Sequence, residues 1–367
     1  MKEVLIIGTT NIYGGVGRMI FEFCKNIDKE KFHFDFLYYE DVSIEEQNLI
    51  ATYNGHFYKV PRYSRNPVKF FHYIENFYAT HRYDIVHIHA STAMLIAYAF
   101  PIWKSKNIKI IYHSHSDLVT GLINKILHKF FRNFIAKYAS CKIAVSNKAA
   151  KFMYGENTTE DVIILKNGID IERFKYVENI RMAMREKIGI KKDFLVGHIG
   201  RFSYEKNHVF IIEVFEQLCN LNSETKLLLI GEGKEKEVIR RLVDAKGLTS
   251  RVIFYGTSNC VQELLCAMDC FIFPSNFEGL GIVAIEAQAS GLPVVASMNV
   301  PQEAAVTDRY RALSLINDSA KTWAKVILSF KEENYNRHSQ YQNLSEAGYD
   351  IVRVSKELEE IYLKILE

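Results

Sequence analysis

Glu278 and Glu286 flank the turn Glu278-Gly279-Leu280-Gly281, in which two glycines precede an apolar, helix-like run. Glycines there let backbone N–H groups approach a ligand closely, and a helix start favours negative charge, so the turn suits a phosphate. Carboxylates beside a phosphate repel it unless donors engage them, and ligand hydroxyls are such donors. Hydroxyls on both sides of a pyrophosphate describe a nucleotide-sugar. Arg201 and Lys206, two and seven residues past a strand-like run ending at Ile199, can neutralise its two phosphates and stabilise a departing diphosphate. Histidines gather as His87 with His89 and as His113 with His115. Alternation puts each pair on one face of a strand, and no cysteine or acid joins them at ligand spacing, so hydrogen bonding is expected there and not metal.

These residues need strand ends to hold them. The stretch from Phe271 to Val295 reads as strand, glycine-bearing loop, helix and next strand. Further strand-like runs recur at 4–7, 34–38, 85–88, 109–112, 142–145 and 162–165, with helical stretches between. The alternation restarts at 195–199 and continues through 226–230, 252–255, 270–273 and 293–296. An α/β fold of two parallel, doubly wound sheets follows, and Lys166-Asn-Gly-Ile-Asp170 with the charged segment from Glu172 to Lys192 reads as the linker. From Tyr349 to Leu366 an apolar stripe at helical spacing has no strand after it.

The pair Glu278 and Glu286 with the Glu-Gly-Leu-Gly turn and the trailing Ala289-Ser-Gly-Leu-Pro-Val-Val295 resembles the retaining glycosyltransferases of family 4. The likeness covers nearly the whole chain and is densest from Gly200 to Val295. It implies a GT-B fold, two Rossmann-like domains facing a central cleft. An N-terminal acceptor-binding domain would span 1–172, rejoined by a terminal helix at 346–367, and a nucleotide-sugar-binding domain would span 173–345. Catalytic roles are implied for His115, Glu278, Arg201 and Lys206. Donor binding is implied for Gly14, Gly15, Arg201, Lys206, Ser258, Glu278, Gly279, Leu280, Gly281 and Glu286. His89 and His113 would face the acceptor, although the choice between His113 and His115 for the donor stays open. In that family the leaving phosphate itself deprotonates the acceptor, so neither cofactor nor metal is expected, and no Asp-x-Asp occurs anywhere. The implied reaction moves a hexose or N-acetylhexosamine from a UDP-sugar to a hydroxyl of a glycan or lipid-linked glycan, with retention. Capsule and exopolysaccharide enzymes of bacteria are the nearest likeness, on His113-Ser-His115 and Asn167-Gly-Ile-Asp170.

Other classes fit less well. A nucleotide-sugar epimerase or hydrolase of the same fold is the alternative, since fold does not fix chemistry. A nicotinamide dehydrogenase needs GxGxxG directly after the first strand; the glycines at 14, 15 and 17 come too late, although Glu40 and Asp41 imitate its acid. A non-catalytic subunit would not need the full charged set. A net charge of +3 without a basic stripe argues against nucleic acid. The six cysteines form no CxxC pair and read as reduced thiols. The first residues read as a buried strand and not a signal peptide, so a cytoplasmic protein is expected. The stretch 122–138 reads as a basic amphipathic helix, with Lys125, Lys129 and Arg132 on one face, suited to an anionic membrane surface on the inner face of the cytoplasmic membrane.

Overall fold

Runs such as Val4-Leu-Ile-Ile7 are apolar on both faces, which suits strands buried between two layers of helices and paired in parallel. A computed structural model describes residues 1–8, 15–116, 119, 121–156, 161–332 and 337–367. The chain divides into two compact units, Met1–Ile169 with Gly348–Glu367, and Asp170–Ala347. The expected domain limits were 172/173 and 345/346.

In the first unit the strands are β1 (Lys2–Ile7), β2 (Phe32–Tyr38), β3 (Phe57–Lys59), β4 (Ile85–Ala90), β5 (Lys109–Ser114), β6 (Cys141–Ala144) and β7 (Val162–Ile164). They pair in parallel in the order β3-β2-β1-β4-β5-β6-β7. Its helices are α1 (Gly15–Asn26), α2 (Ile44–Ala51), α3 (Pro67–Thr80), α4 (Leu122–Tyr138) and α5 (Asn147–Tyr154). In the second unit α6 (Glu178–Lys187), α7 (His208–Leu221), α8 (Lys236–Ala245), α9 (Val261–Ala267), α10 (Ile282–Ala289), α11 (Ala320–Glu332) and α12 (Tyr341–Glu346) surround a second sheet. That sheet contains β8 (Phe194–Ile199), β9 (Thr225–Ile230), β10 (Val252–Gly256), β11 (Cys270–Phe273), β12 (Val294–Ser297) and β13 (Tyr310–Leu313). It runs β10-β9-β8-β11-β12-β13, again all parallel. The last helix, α13 (Ile351–Leu366), returns to the first unit.

Alternation sorts the first sheet into two cores. Leu5, Ile7, Val86 and Ile88 face the side covered by α3, α4 and α5, while Val4, Ile6, Ile85 and Ile111 face α1 and α13. Ile351, Val354, Leu358 and Tyr362 carry α13 onto that second face. Each such side chain, fully buried, contributes about 2 kcal/mol of transfer free energy, so a helix without its own strand is held by its stripe.

The units divide at Ile169/Asp170, inside the first part of the segment read as the linker, but the charged part is not a linker. Residues 178–187 form α6, and two arginines there, with Arg337, converge on the end of α9. Arg181 donates to the carbonyls of Ala267 and Met268 at 3.0 and 2.9 Å. Arg185 donates to Ala267 O at 2.8 Å, and Arg337 to Cys266 O and Met268 O at 3.0 and 2.9 Å. The last carbonyls of a helix lack partners and carry the negative end of its dipole, so guanidinium groups are favoured there. A charged, weakly periodic stretch hid this, because its order comes from carbonyls about 85 residues away. The first glycine loop also differs from expectation: α1 already begins at Gly15, so Gly15 and Gly17 lie inside its first turn and not ahead of it.

Candidate active site

In an open parallel sheet, ligands bind beyond the carboxyl ends of the strands where the strand order reverses. In the second unit this point lies between β8 and β11, because the chain runs outward from β8 through β9 and β10 and returns on the other side as β11. The loops leaving these two strands carry Arg201, Lys206 and Glu278. Lys206 Nζ closes an ion pair with Glu278 Oε1 across 72 residues of sequence. Ser275 Oγ donates to the same oxygen at 2.7 Å. Lys206 and Glu278 are only 20% and 11% exposed. The ammonium also stands 4.9 Å over the ring of Phe273, the last residue of β11.

The two loops are laced together by Asn276. Its N–H donates to Glu205 O at 2.8 Å and its amide Nδ2 to Tyr204 O at 2.7 Å, while Asn299 Nδ2 donates to Asn276 O at 3.2 Å. Below them, Ser297 Oγ donates to Ser275 O at 2.6 Å. Asn207, the residue after Lys206, holds the left-handed conformation at φ 54° and caps the start of α7.

Gly281 takes φ +81° at the start of α10, and a Cβ there would meet Phe273 Cε1 at 3.0 Å and Val300 Cγ1 at 3.1 Å. Leu280 beside it is buried, and Glu286 sits buried in the second turn of α10. Backbone N–H groups of α10, the Lys206 ammonium and the Glu278 carboxylate thus surround the end of β11. That combination suits an anion flanked by hydroxyls. Arg201 is exposed, and among the described residues it makes no hydrogen bond or close ion pair.

Two buried histidines lie behind this loop. His198 Nδ1 donates to Ile272 O at 2.9 Å, and its ring meets His208 edge-on at 4.8 Å. Burial first, then His208 and the Lys206 charge, hold His198 well below the ordinary imidazole range. His208 is pushed down to about 4 by burial and by Lys206. Both are therefore neutral at pH 7, which leaves Lys206 as the cation of this layer. Ser258, past β10, accepts from Cys260 N at 3.1 Å and stands 3.2 Å from Cys260 Sγ, so it braces its own turn.

In the first unit, β4 and β5 pair His89 with His113, and four imidazoles form one layer. His89 Nδ1 lies 2.9 Å from His115 Nε2, and His87 Nδ1 lies 2.7 Å from the Tyr362 hydroxyl of α13. His87, His89 and His113 bring ring nitrogens within 4.8 Å of one another. The rings of His87 and His89 stack at 4.0 Å, and those of His87 and His113 lie 8° from parallel. A metal lies in the plane of each imidazole it binds, and lone pairs of stacked rings point side by side, so shared ligation requires the rings to turn. His89 and His113 are buried at 2% and 0% exposure, whereas His115 keeps partial exposure at the strand's end. Gly14 lies outside the described residues.

Sequence reasoning missed Ser275, Asn276, Asn299 and Asn207. Small polar residues in the loops after β8, β11 and β12, at the ligand-binding edge, were the available signal.

Two family models divide the chain between them. The model described as Glycosyltransferase Family 4 matches 13–173, and the model described as Glycosyl transferases group 1 matches 181–350. The chain belongs to the family 4 glycosyltransferases. Over 361 residues this glycosyltransferase is 29% identical to the putative glycosyltransferase EpsF of Bacillus subtilis, covering 95% of this chain and 93% of that one. It is 22% identical over 318 residues to the UDP-Gal:alpha-D-GlcNAc-diphosphoundecaprenol alpha-1,3-galactosyltransferase of Escherichia coli, covering 78% and 76%. In fold it is similar to Anabaena HepE, crystallised with UDP and glucose, at TM-score 0.81, 18% identity and 98% and 99% coverage. Its two sheets are those of the GT-B architecture. Among the described residues no helix is long and apolar enough to cross a membrane.

Proposed function

We propose that this enzyme transfers a hexose or N-acetylhexosamine from a UDP-sugar to a hydroxyl of a glycan or lipid-linked glycan, with retention, in bacterial surface polysaccharide synthesis. The carrying observation is the Lys206–Glu278–Ser275 group beside the glycine-led start of α10. Its composition suits a diphosphate: a cation and oriented N–H groups meet the charge that develops as the bond to sugar breaks, and Glu278 accepts from sugar hydroxyls. Arg201 supplies a second cation. His115, the partly exposed member of its layer, is the residue assigned to the donor sugar. The similarity to a UDP-Gal transferase and to HepE supports UDP as the nucleotide.

Negative charge on the leaving group is met here by side chains and backbone, and the departing phosphate takes the acceptor's proton on the same face of the sugar. Transfer on this reading needs neither cofactor nor divalent metal. The acceptor is proposed to be membrane-borne. On α4, Leu122, Ile123, Ile126 and Phe130 are 75%, 73%, 61% and 56% exposed, beside exposed Lys125 and Lys129. Phe131 and Phe134 pack on the core instead. An apolar edge flanked by lysines suits the inner, anionic leaflet of the cytoplasmic membrane.

The test is turnover of a panel of UDP- and GDP-sugars with lipid-linked acceptors, with the anomeric configuration of the product read by NMR. A retained configuration from a UDP-sugar is expected. An inverted product, or equal consumption of nucleotide-sugar without acceptor, overturns the reading.

A further inference from the structure

We propose that Ser275 is a positioning residue for Glu278: with Lys206 it occupies one carboxylate oxygen, Oε1, and so holds the other, Oε2, as the acceptor for a hydroxyl of the donor sugar. The assignment rests on the reading that Glu278 meets that sugar.

Two donors converge on one atom. Lys206 Nζ pairs with Glu278 Oε1, and Ser275 Oγ donates to the same Oε1 at 2.7 Å. A hydroxyl has one hydrogen to give, so that of Ser275 is committed to this bond. Oε2 receives neither donor. Among the described residues it makes no hydrogen bond, and it is not buried, although the side chain as a whole is only 11% exposed. A carboxylate with one oxygen filled and one open suits a ligand that brings its own donor, and sugar hydroxyls are such donors.

Lys206 alone would not fix the open oxygen. One bond to a carboxylate oxygen leaves the group free to pivot about it, while a second donor from another loop sets its orientation. The ammonium is also called on by the diphosphate, so its hold on Glu278 is shared. The hydroxyl of Ser275 donates to Glu278 alone among the described residues.

The frame around both donors is rigid. Ser275 is 0% exposed, and its carbonyl accepts from Ser297 Oγ at 2.6 Å, at the end of β12. The N–H of the next residue, Asn276, donates to Glu205 O at 2.8 Å, which ties this loop to the one that carries Lys206. A Cβ on Gly200 would meet Lys206 Cγ at 3.1 Å and Cδ at 3.2 Å, so the lysine stem runs along a lane that glycine keeps open. Oε2 is thus aimed before the donor arrives and needs no reordering to accept from it.

The experiment uses the full chain, UDP as a product inhibitor, and the UDP-sugar turned over in the panel above together with its singly deoxygenated forms. Glu278→Gln is the reference: the deoxygenated donor on which it matches the wild type identifies the hydroxyl that Glu278 accepts. Ser275→Ala should lower kcat/KM for the complete donor about tenfold, lose most of that penalty on the same deoxygenated donor, and leave inhibition by UDP unchanged. Unchanged inhibition by UDP also reports an intact diphosphate site. A Ser275→Ala penalty equal on all donors, or no penalty, overturns the proposal while leaving Glu278 with its sugar. Weaker inhibition by UDP in Ser275→Ala makes the hydroxyl a general support of the site and overturns it as well. A Glu278→Gln penalty equal on all donors takes Glu278 off the sugar, and both readings fall.

Discussion

Acidification should unfold the first unit before the second. His87 and His115 are pushed down to about 3, and His89 and His113 lie well below the ordinary value of 6.5, in each case chiefly by burial. The folded values lie below the unfolded one, so the unfolded chain binds more protons in between. Stability is then complete above pH 6.5 and falls as pH drops from 6.5 towards the folded values. Between pH 7 and 5.5 linkage gives a loss of about 1 kcal/mol for each such histidine, or about 4 kcal/mol for the four. That is comparable with the whole stability of many domains. The second unit has two such groups, His198 and His208, and should lose about half as much. His33 opposes the trend: burial lowers it, but the Asn54 carbonyl and the Glu3 carboxylate raise it above its ordinary value, so it gains stability on acidification.

The chain contains two tryptophans, Trp103 in the first unit and Trp323 in the second. Trp103→Phe and Trp323→Phe therefore give one fluorescence reporter per unit in urea unfolding. With a slope of about 2 kcal/mol per molar urea, the Trp103 midpoint should fall by about 2 M and the Trp323 midpoint by about 1 M. Replacing His113, which is fully buried with neither ring nitrogen partnered, by Phe should remove about a quarter of the pH slope in the first unit. Equal shifts in the two units, or a slope untouched by His113→Phe, would refute the reasoning.

Arg201→Ala and Lys206→Ala should each lower kcat by about a hundredfold, as loss of a charge-assisted bond formed at the departing diphosphate does, while urea midpoints move little; unchanged transfer in both removes the phosphate assignment. EDTA should leave transfer intact, and loss of activity restored by a divalent ion would return a metal to the mechanism. Reversing the charge of Lys125, Lys129 and Arg132 should weaken co-sedimentation with anionic vesicles by about 1 kcal/mol per residue at low salt, with transfer to a soluble acceptor unaffected; equal sedimentation assigns α4 to ordinary packing.

The sheets were legible because their central strands are apolar on both faces and separated by helical stretches of regular length. Strands β3 and β13 were not. Tyr310–Leu313 has no residue fully buried, and Phe57–Lys59 none either, since an edge strand pairs on one side and needs little apolar sequence. The helix over 178–187 escaped for a related reason: its order comes from Arg181 and Arg185 reaching the end of α9, a partner no local periodicity reveals.

Within the site, the glycine turn at 278–281 was readable because glycine lets the backbone at the head of a helix come close to a ligand and take a positive φ, as Gly281 does at +81°. The pairing of Lys206 with Glu278 was not, because it depends on which strand stands next to β8, and sequence order would suggest β9 alone. Once β11 lies beside β8, two loops 72 residues apart become neighbours, and Ser275 and Asn276, which look like ordinary turn residues, take up the bonds that hold them. The histidine layer follows the same logic. Alternation placed His87 with His89 and His113 with His115, but the contact from His89 to His115 exists because the register sets His89 opposite His113 and Ala90 opposite Ser114. Side-chain type told which chemistry was available, whereas strand order and register decided which of those side chains could act on the same atom.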